Sequence, residues 1–170
     1  LALCDNLDIV QNMFLGREMH RGPFLDESSM EEAAGNTLAS LSVRTVKSVR
    51  QRVSSLSGGQ RQTVAIAKAV LWNSKVVVLD EPTAALGVAQ TAQVLDLVRR
   101  LADRGLAVVL ISHNMNEVLE VANRIAVLYL GRTAAQIRRE EVNQQELVEL
   151  ITTGDLSGRT LPTDTNEVPA

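Results

Sequence analysis

The chain has 170 residues, enough for a domain with its own core, and its 45% apolar and 22% charged residues are ordinary for a soluble globular protein. A net charge of −3 without any basic run argues against nucleic acid as a partner, and the single Cys4 excludes an internal disulfide and suits a reducing compartment. No apolar run approaches the roughly 20 residues that cross a bilayer. No basic segment leads into an apolar one as in a signal peptide, and the start at Leu1 rather than Met points to a fragment of a longer protein.

Leu1 to Arg52 is the least regular part. Asn6 is placed to cap a short helix from Leu7 to Gly16, with Leu7, Val10, Phe14 and Leu15 on its inner face. Gly22-Pro23 interrupts the segment beyond that helix, and His20 beside it reads as an exposed loop residue. Met30 to Leu41 and Val43 to Val53 read as two further helices.

The stretch from Val53 to Pro82 carries the strongest signals. Ser57 and Gln60 have capping-box spacing, with Gly58 and Gly59 as the first helical residues. A first turn without side chains presents bare N–H groups and the positive end of the helix dipole, which suits an anion such as phosphate. The helix from Gly58 to Trp72 is apolar nearly all round and belongs in an interior, with Trp72 as a core or boundary residue. Val76 to Leu79 then reads as a strand buried on both faces, closed by Asp80 and Glu81 where open α/β sheets place ligands.

After a turn at Thr83–Gly87 comes a helix from Val88 to Arg104, ended by Gly105, with Val94, Leu95, Val98, Leu101 and Ala102 at core spacing. Leu106 to Ser112 is a second apolar strand, with His113 at its carboxyl end. Asn114 and Glu117 fit another capping box, opening a helix to Asn123. Arg124–Leu130 and Arg132–Arg138 read as strands and Gln144–Thr152 as a helix; the composition from Gly154 onward is that of a disordered tail. Alternating strands and helices imply right-handed parallel crossovers and an α/β sheet, with Asp80, Glu81 and His113 on one rim.

Leu56-Ser57-Gly58-Gly59-Gln60 and, one helix later, Val76 to Glu81 resemble the signature and the Walker B strand of the ATP-binding cassette (ABC) ATPases. Neither motif is specific alone; the ordered pair is. The resemblance implies a fold of P-loop NTPase type, incomplete here: a helical subdomain over residues 1–55, the C-terminal part of the ATPase core over 56–152, and a tail over 153–170. It implies ATP hydrolysis, with Asp80 holding Mg²⁺, Glu81 activating the attacking water and His113 contacting the terminal phosphate. Ser57, Gly58, Gly59 and Gln60 act in trans, capping ATP bound to a second ATPase domain in a head-to-tail dimer. The implied partners are membrane permease subunits and, indirectly, a substrate-binding protein, at the cytoplasmic face of the cell membrane.

Two departures stand out. None of the ten glycines is followed by Lys, so the phosphate loop is absent, and the resemblance places it before Leu1. The turn after Walker B usually reads Ser-x-Leu-Asp; here it is Ala84-Ala85-Leu86-Gly87, without the carboxylate that touches the partner's phosphate loop. That turn, Tyr129-Leu130-Gly131-Arg132 and Ile151-Thr152-Thr153-Gly154 look most like ATPases of bacterial sugar importers. The alternative is a non-catalytic cassette that lends only its signature face to a complete partner. A chromosome-maintenance or translation-factor ATPase would bring heptad arms or basic stretches, and neither is present.

Overall fold

The computed structural model describes residues 3–41, 43, 46–72 and 75–156; of the expected tail, residues 157–170 lie outside them, whereas Thr153 and Gly154 end a helix and Leu156 is buried in the core, so these residues are not part of a tail. The chain divides into two compact units, residues 1–111 and 112–170. No helix among the described residues is long and apolar enough to cross a membrane.

In the first unit, α1 (Ile9–Phe14) starts two residues later than expected, because Asp8 and not Asn6 caps it. Asp8 Oδ1 accepts the Gln11 N–H at 2.7 Å, and Gln11 Oε1 accepts that of Asp8 at 3.1 Å. The buried face of α1 is Ile9, Val10, Asn12, Met13 and Phe14, while Leu15 is exposed. The buried Asn12 ties down the preceding loop: its Nδ2 donates to the Cys4 and Asp8 carbonyls, both at 2.9 Å. Gly22 (φ 66°) and Pro23 turn the hairpin of β1 (His20–Arg21) and β2 (Phe24–Leu25), and His20 is exposed as expected.

Helix α2 (Glu27–Ser40), capped by Asp26, packs Met30, Ala34 and Leu38 toward α1 and α3 (Gly58–Leu71). The expected helix over Val43–Val53 does not form among the described residues there. The Val49 and Gln51 carbonyls instead accept the Val10 and Ile9 N–H groups, both at 3.2 Å, which are first-turn donors of α1 without an intrahelical acceptor. Arg50 anchors the segment on Glu31 (2.9 Å), Glu27 (3.1 Å) and Asp8 (3.6 Å), and its hydrogen bond to Glu31 raises its pKa further.

As expected, α3 is interior: every residue from Gly59 to Trp72 is buried or half-buried. Trp72 sits at its end, donating to the Met13 carbonyl at 3.3 Å and lying edge-on to Phe14 at 5.5 Å, with the Arg17 guanidinium 4.9 Å from its ring centre. Strands β3 (Val76–Asp80) and β4 (Ala107–Ile111) are parallel, in register Val76↔Ala107 to Asp80↔Ile111, joined by α4 (Val88–Asp103). This is the expected type of parallel crossover unit, but β3 is not buried on both faces. Val77 and Leu79 are covered, whereas Val76 and Val78 are 54% and 62% exposed, so the apolar run serves one covered face and one open one. On α4, Ala102 is exposed, against the expectation, and Leu97, which is not among the expected core positions, is buried.

The second unit is built on an antiparallel hairpin of β5 (Arg124–Tyr129) and β6 (Arg132–Arg138), so β5 takes β6 as its partner and not a parallel neighbour. The two-residue loop Leu130-Gly131 has φ of 45° and 79°, the left-handed pair that matches strand twist. Ile125, Val127 and Ile137 pack with Leu147 and Leu150 of α6 (Gln144–Thr153) and with Leu156. In the short α5 (Met115–Val121), Asn114 accepts the Asn116 N–H and its own amide donates to Glu117 at 2.9 Å. The expected reciprocal box is thus replaced by a side-chain pair.

Candidate functional site

Ser57 and Gln60 form the expected box at the start of α3. Ser57 Oγ accepts the Gln60 N–H at 3.3 Å, and Gln60 Oε1 accepts that of Ser57 at 2.9 Å. Below the cap, Arg61 braces the approach, with Nη1 2.7 Å from Asp5 and Nη2 3.3 Å from the Ser54 carbonyl. The two glycines are needed for closeness on the inner side. A Cβ on Gly58 would lie 3.2 Å from Leu86 Cδ2, and one on Gly59 would lie 3.2 Å from Cβ and Cγ of Gln90. The signature start therefore rests on the turn that follows β3 and on the first turn of α4.

At the other end of that turn, Asp80 is exposed on the open face of β3. Glu81 leaves the strand in the left-handed region (φ 46°), its N–H donating to the Ile111 carbonyl at 2.9 Å. A non-glycine residue there is strained by roughly 1–2 kcal/mol. The bond to Ile111 holds that geometry. Hydrogen bonds Ala84 N–H to Glu81 O (3.2 Å) and Leu86 N–H to Thr83 O (3.1 Å) close the turn, with Ala85 also left-handed at φ 61°. Gly58, Arg61, Gln62, Glu81 and Leu86 line a cleft of about 360 Å³.

The first unit thus brings Gly58, Glu81 and the turn to one cleft, with Gly59 packed on Gln90 and Asp80 next to Glu81 in the chain. His113 is exposed and belongs to the second unit, two residues after the end of β4. Among the described residues no three His, Cys, Asp or Glu side chains gather as a metal cage. A lone carboxylate such as Asp80 still fits Mg²⁺, which keeps several waters and takes other ligands from phosphates. The bare glycines at the start of a 14-residue helix fit a phosphate. Sequence reasoning missed Gln90, although Gly87 and Gln90 repeat the spacing of a cap and its third residue.

Residues 3–84 match the ABC transporter family. The chain carries residues of an ABC transporter ATPase domain and belongs to that family. It is 45% identical over 159 residues to the fructose import ATP-binding protein of Rhizobium meliloti, covering 89% of this chain and 61% of that protein. It is 43% identical over 152 residues to the xylose/arabinose import ATP-binding protein of Sulfolobus acidocaldarius, covering 89% of this chain and 60% of that one. The chain therefore spans about three-fifths of the length of these relatives. Among solved structures, an inward-facing ABC transporter described as of metal-chelate type matches with a TM-score of 0.74 and 27% identity, over 89% of this chain and 60% of that one. The ADP conformation of an ATP-binding cassette matches in fold, with a TM-score of 0.67 at 21% identity, over 88% of this chain and 60% of that one.

Proposed function

We propose that the chain works as ATP-hydrolysing machinery of a carbohydrate importer, on the cytoplasmic face of the membrane. The observation that carries this is the seating of the glycine-rich start of α3 on the turn that begins at Glu81, which puts an anion-receptive helix end and a candidate base on one cleft. In this reading residues 1–55 are the helical subdomain facing the permease subunits and residues 56–152 carry the chemistry. Asp80 would hold Mg²⁺, which would offset phosphate charge when bound. Glu81 orients and deprotonates the attacking water, and His113 donates to the terminal phosphate. Ser57, Gly58, Gly59 and Gln60 grip the phosphates of ATP held by a second ATPase domain, so a head-to-tail dimer is the working unit. The sugar-import relatives at 45% and 43% identity support a carbohydrate as the cargo.

The test joins this chain to an N-terminal segment of an ABC ATPase that carries the Gly-x-x-x-x-Gly-Lys-Ser/Thr phosphate loop. The chain alone is expected to show no measurable hydrolysis and only feeble Mg-ATP affinity, and the chimaera to hydrolyse ATP. In the chimaera, Glu81→Gln keeps size and removes the base, so phosphate release should fall by about 10²–10⁴ while ATP binding persists. Turnover of the Gln variant within a few-fold of the parent would remove Glu81 from the role of base.

A further inference from the structure

Helix α4 begins without a side-chain cap, because its cap residue is Gly87. The half-buried Gln90 compensates from the third helical position: its Oε1 accepts the Gly87 N–H at 3.1 Å. The stem of the same side chain fills the space beside Gly59, with Cβ and Cγ 3.2 Å and Cδ 3.7 Å from where a Gly59 Cβ would sit. One residue thus touches the signature start with its methylenes and holds the end of the turn with its amide. From Gly87 the turn runs back to Glu81 through the Leu86–Thr83 and Ala84–Glu81 hydrogen bonds.

We propose that Gln90 is a positioning residue that makes the signature start of α3 and the Glu81 turn move as one body. In the proposed function, on which this inference rests, the signature serves the partner's nucleotide and Glu81 serves the nucleotide of its own chain. Gln90 then links the two sites within one chain, at the place where the usual aspartate of the turn is replaced by Gly87. It touches neither nucleotide nor water; it acts through Gly59 and Gly87.

Amide hydrogen exchange on the 170-residue chain tests the link without requiring hydrolysis. Gln90→Met keeps the methylenes and removes the acceptor. The Gly87 amide should then exchange about tenfold faster, while residues 57–63 keep the parent rate. Gln90→Ala also removes the packing on Gly59, and both segments should quicken while β5 and β6 stay unchanged. An Ala variant that leaves residues 57–63 at the parent rate, or that quickens exchange in every segment alike, overturns the proposal. In the chimaera, Gln90→Ala should lower kcat about tenfold and leave KM for ATP within twofold; an unchanged kcat also overturns it. Glu81→Gln separates the two ideas. If that variant still hydrolyses ATP the functional reading fails, whereas the exchange rates still decide whether Gln90 joins the two segments.

Discussion

Helix α3 in the first unit and helix α6 in the second begin with the same device. In each, a cap oxygen accepts the N–H of the third helical residue, and that residue's side chain accepts the N–H of the cap. The distances are 3.3 and 2.9 Å for Ser57 and Gln60, and 3.0 and 2.8 Å for Asn143 and Glu146. What differs is the content of the first turn. Helix α6 sets the Glu146 carboxylate against its own positive end and covers its first positions with Gln144 and Gln145. Helix α3 has two glycines and the neutral Gln60, so its dipole is not met by any acid in the first turn. A capping box is therefore a folding feature in both places, and the anion-receptive character of α3 comes from the residues that the box encloses.

The largest expected effect attacks that difference directly. Gly59→Asp puts a carboxylate and a Cβ at the second helical position of α3, against both an incoming phosphate and Gln90. ATP-driven dimerisation of the chimaera, followed by sedimentation, should weaken at least about tenfold while its own nucleotide binding persists. Gln145→Asp makes the equivalent change in α6 and should leave dimerisation alone, adding a few tenths of a kcal/mol of stability. Equal behaviour of the two variants would break the comparison.

Glycine-to-alanine exchanges sharpen it. Gly154 ends α6 at φ 80°, and a Cβ there would overlap Cδ1 of Tyr129, so Gly154→Ala should cost about 2 kcal/mol or more in denaturant unfolding. Gly58→Ala meets only the end of the Leu86 side chain at 3.2 Å and has no left-handed backbone, so stability should change by less than about 1 kcal/mol. If Gly58→Ala proved the more damaging to folding, the glycines of α3 would be structural in the sense that Gly154 is. The smallest effect concerns the caps themselves. Ser57→Ala and Asn143→Ala should each lose about 1 kcal/mol, measured by thermal unfolding. Only the serine variant should also slow hydrolysis by the chimaera.

The box at Ser57 and the turn at Gly105 were legible because each depends on residues close in sequence, and the parallel pair β3–β4 because strands alternating with a helix imply a crossover. The failures share a physical cause. Val43–Val53 has helical spacing, yet its carbonyls are recruited by the first-turn donors of α1, a partner some forty positions away in the chain. Asn6 and Asp8 are equally good caps on paper, and the Val53 N–H on the Leu7 carbonyl at 3.0 Å draws the preceding residues into a bridge and leaves Asp8 at the helix start. The continuous apolar run of β3 hid its alternation, because period cannot reveal an open face when both faces are apolar. In the site, Ser57–Gln60 and Asp80–Glu81 stand out by motif. Gln90 does not, since its importance arises from packing on a glycine thirty-one positions earlier.

The placement of the aromatic rings has a spectroscopic consequence. The chain has one tryptophan and one tyrosine, Trp72 in the first unit and Tyr129 in the second. Trp72 is half-buried, hydrogen-bonded to Met13 and flanked by Phe14 and Arg17, so its emission colour reports the packing of α1 on the end of α3. Tyr129 lies against Gly154 and has no second tyrosine to mask it. Red-edge excitation selects the indole alone, and the phenol can be followed by its absorption, so the unmodified chain carries a separate optical channel for the unfolding of each unit.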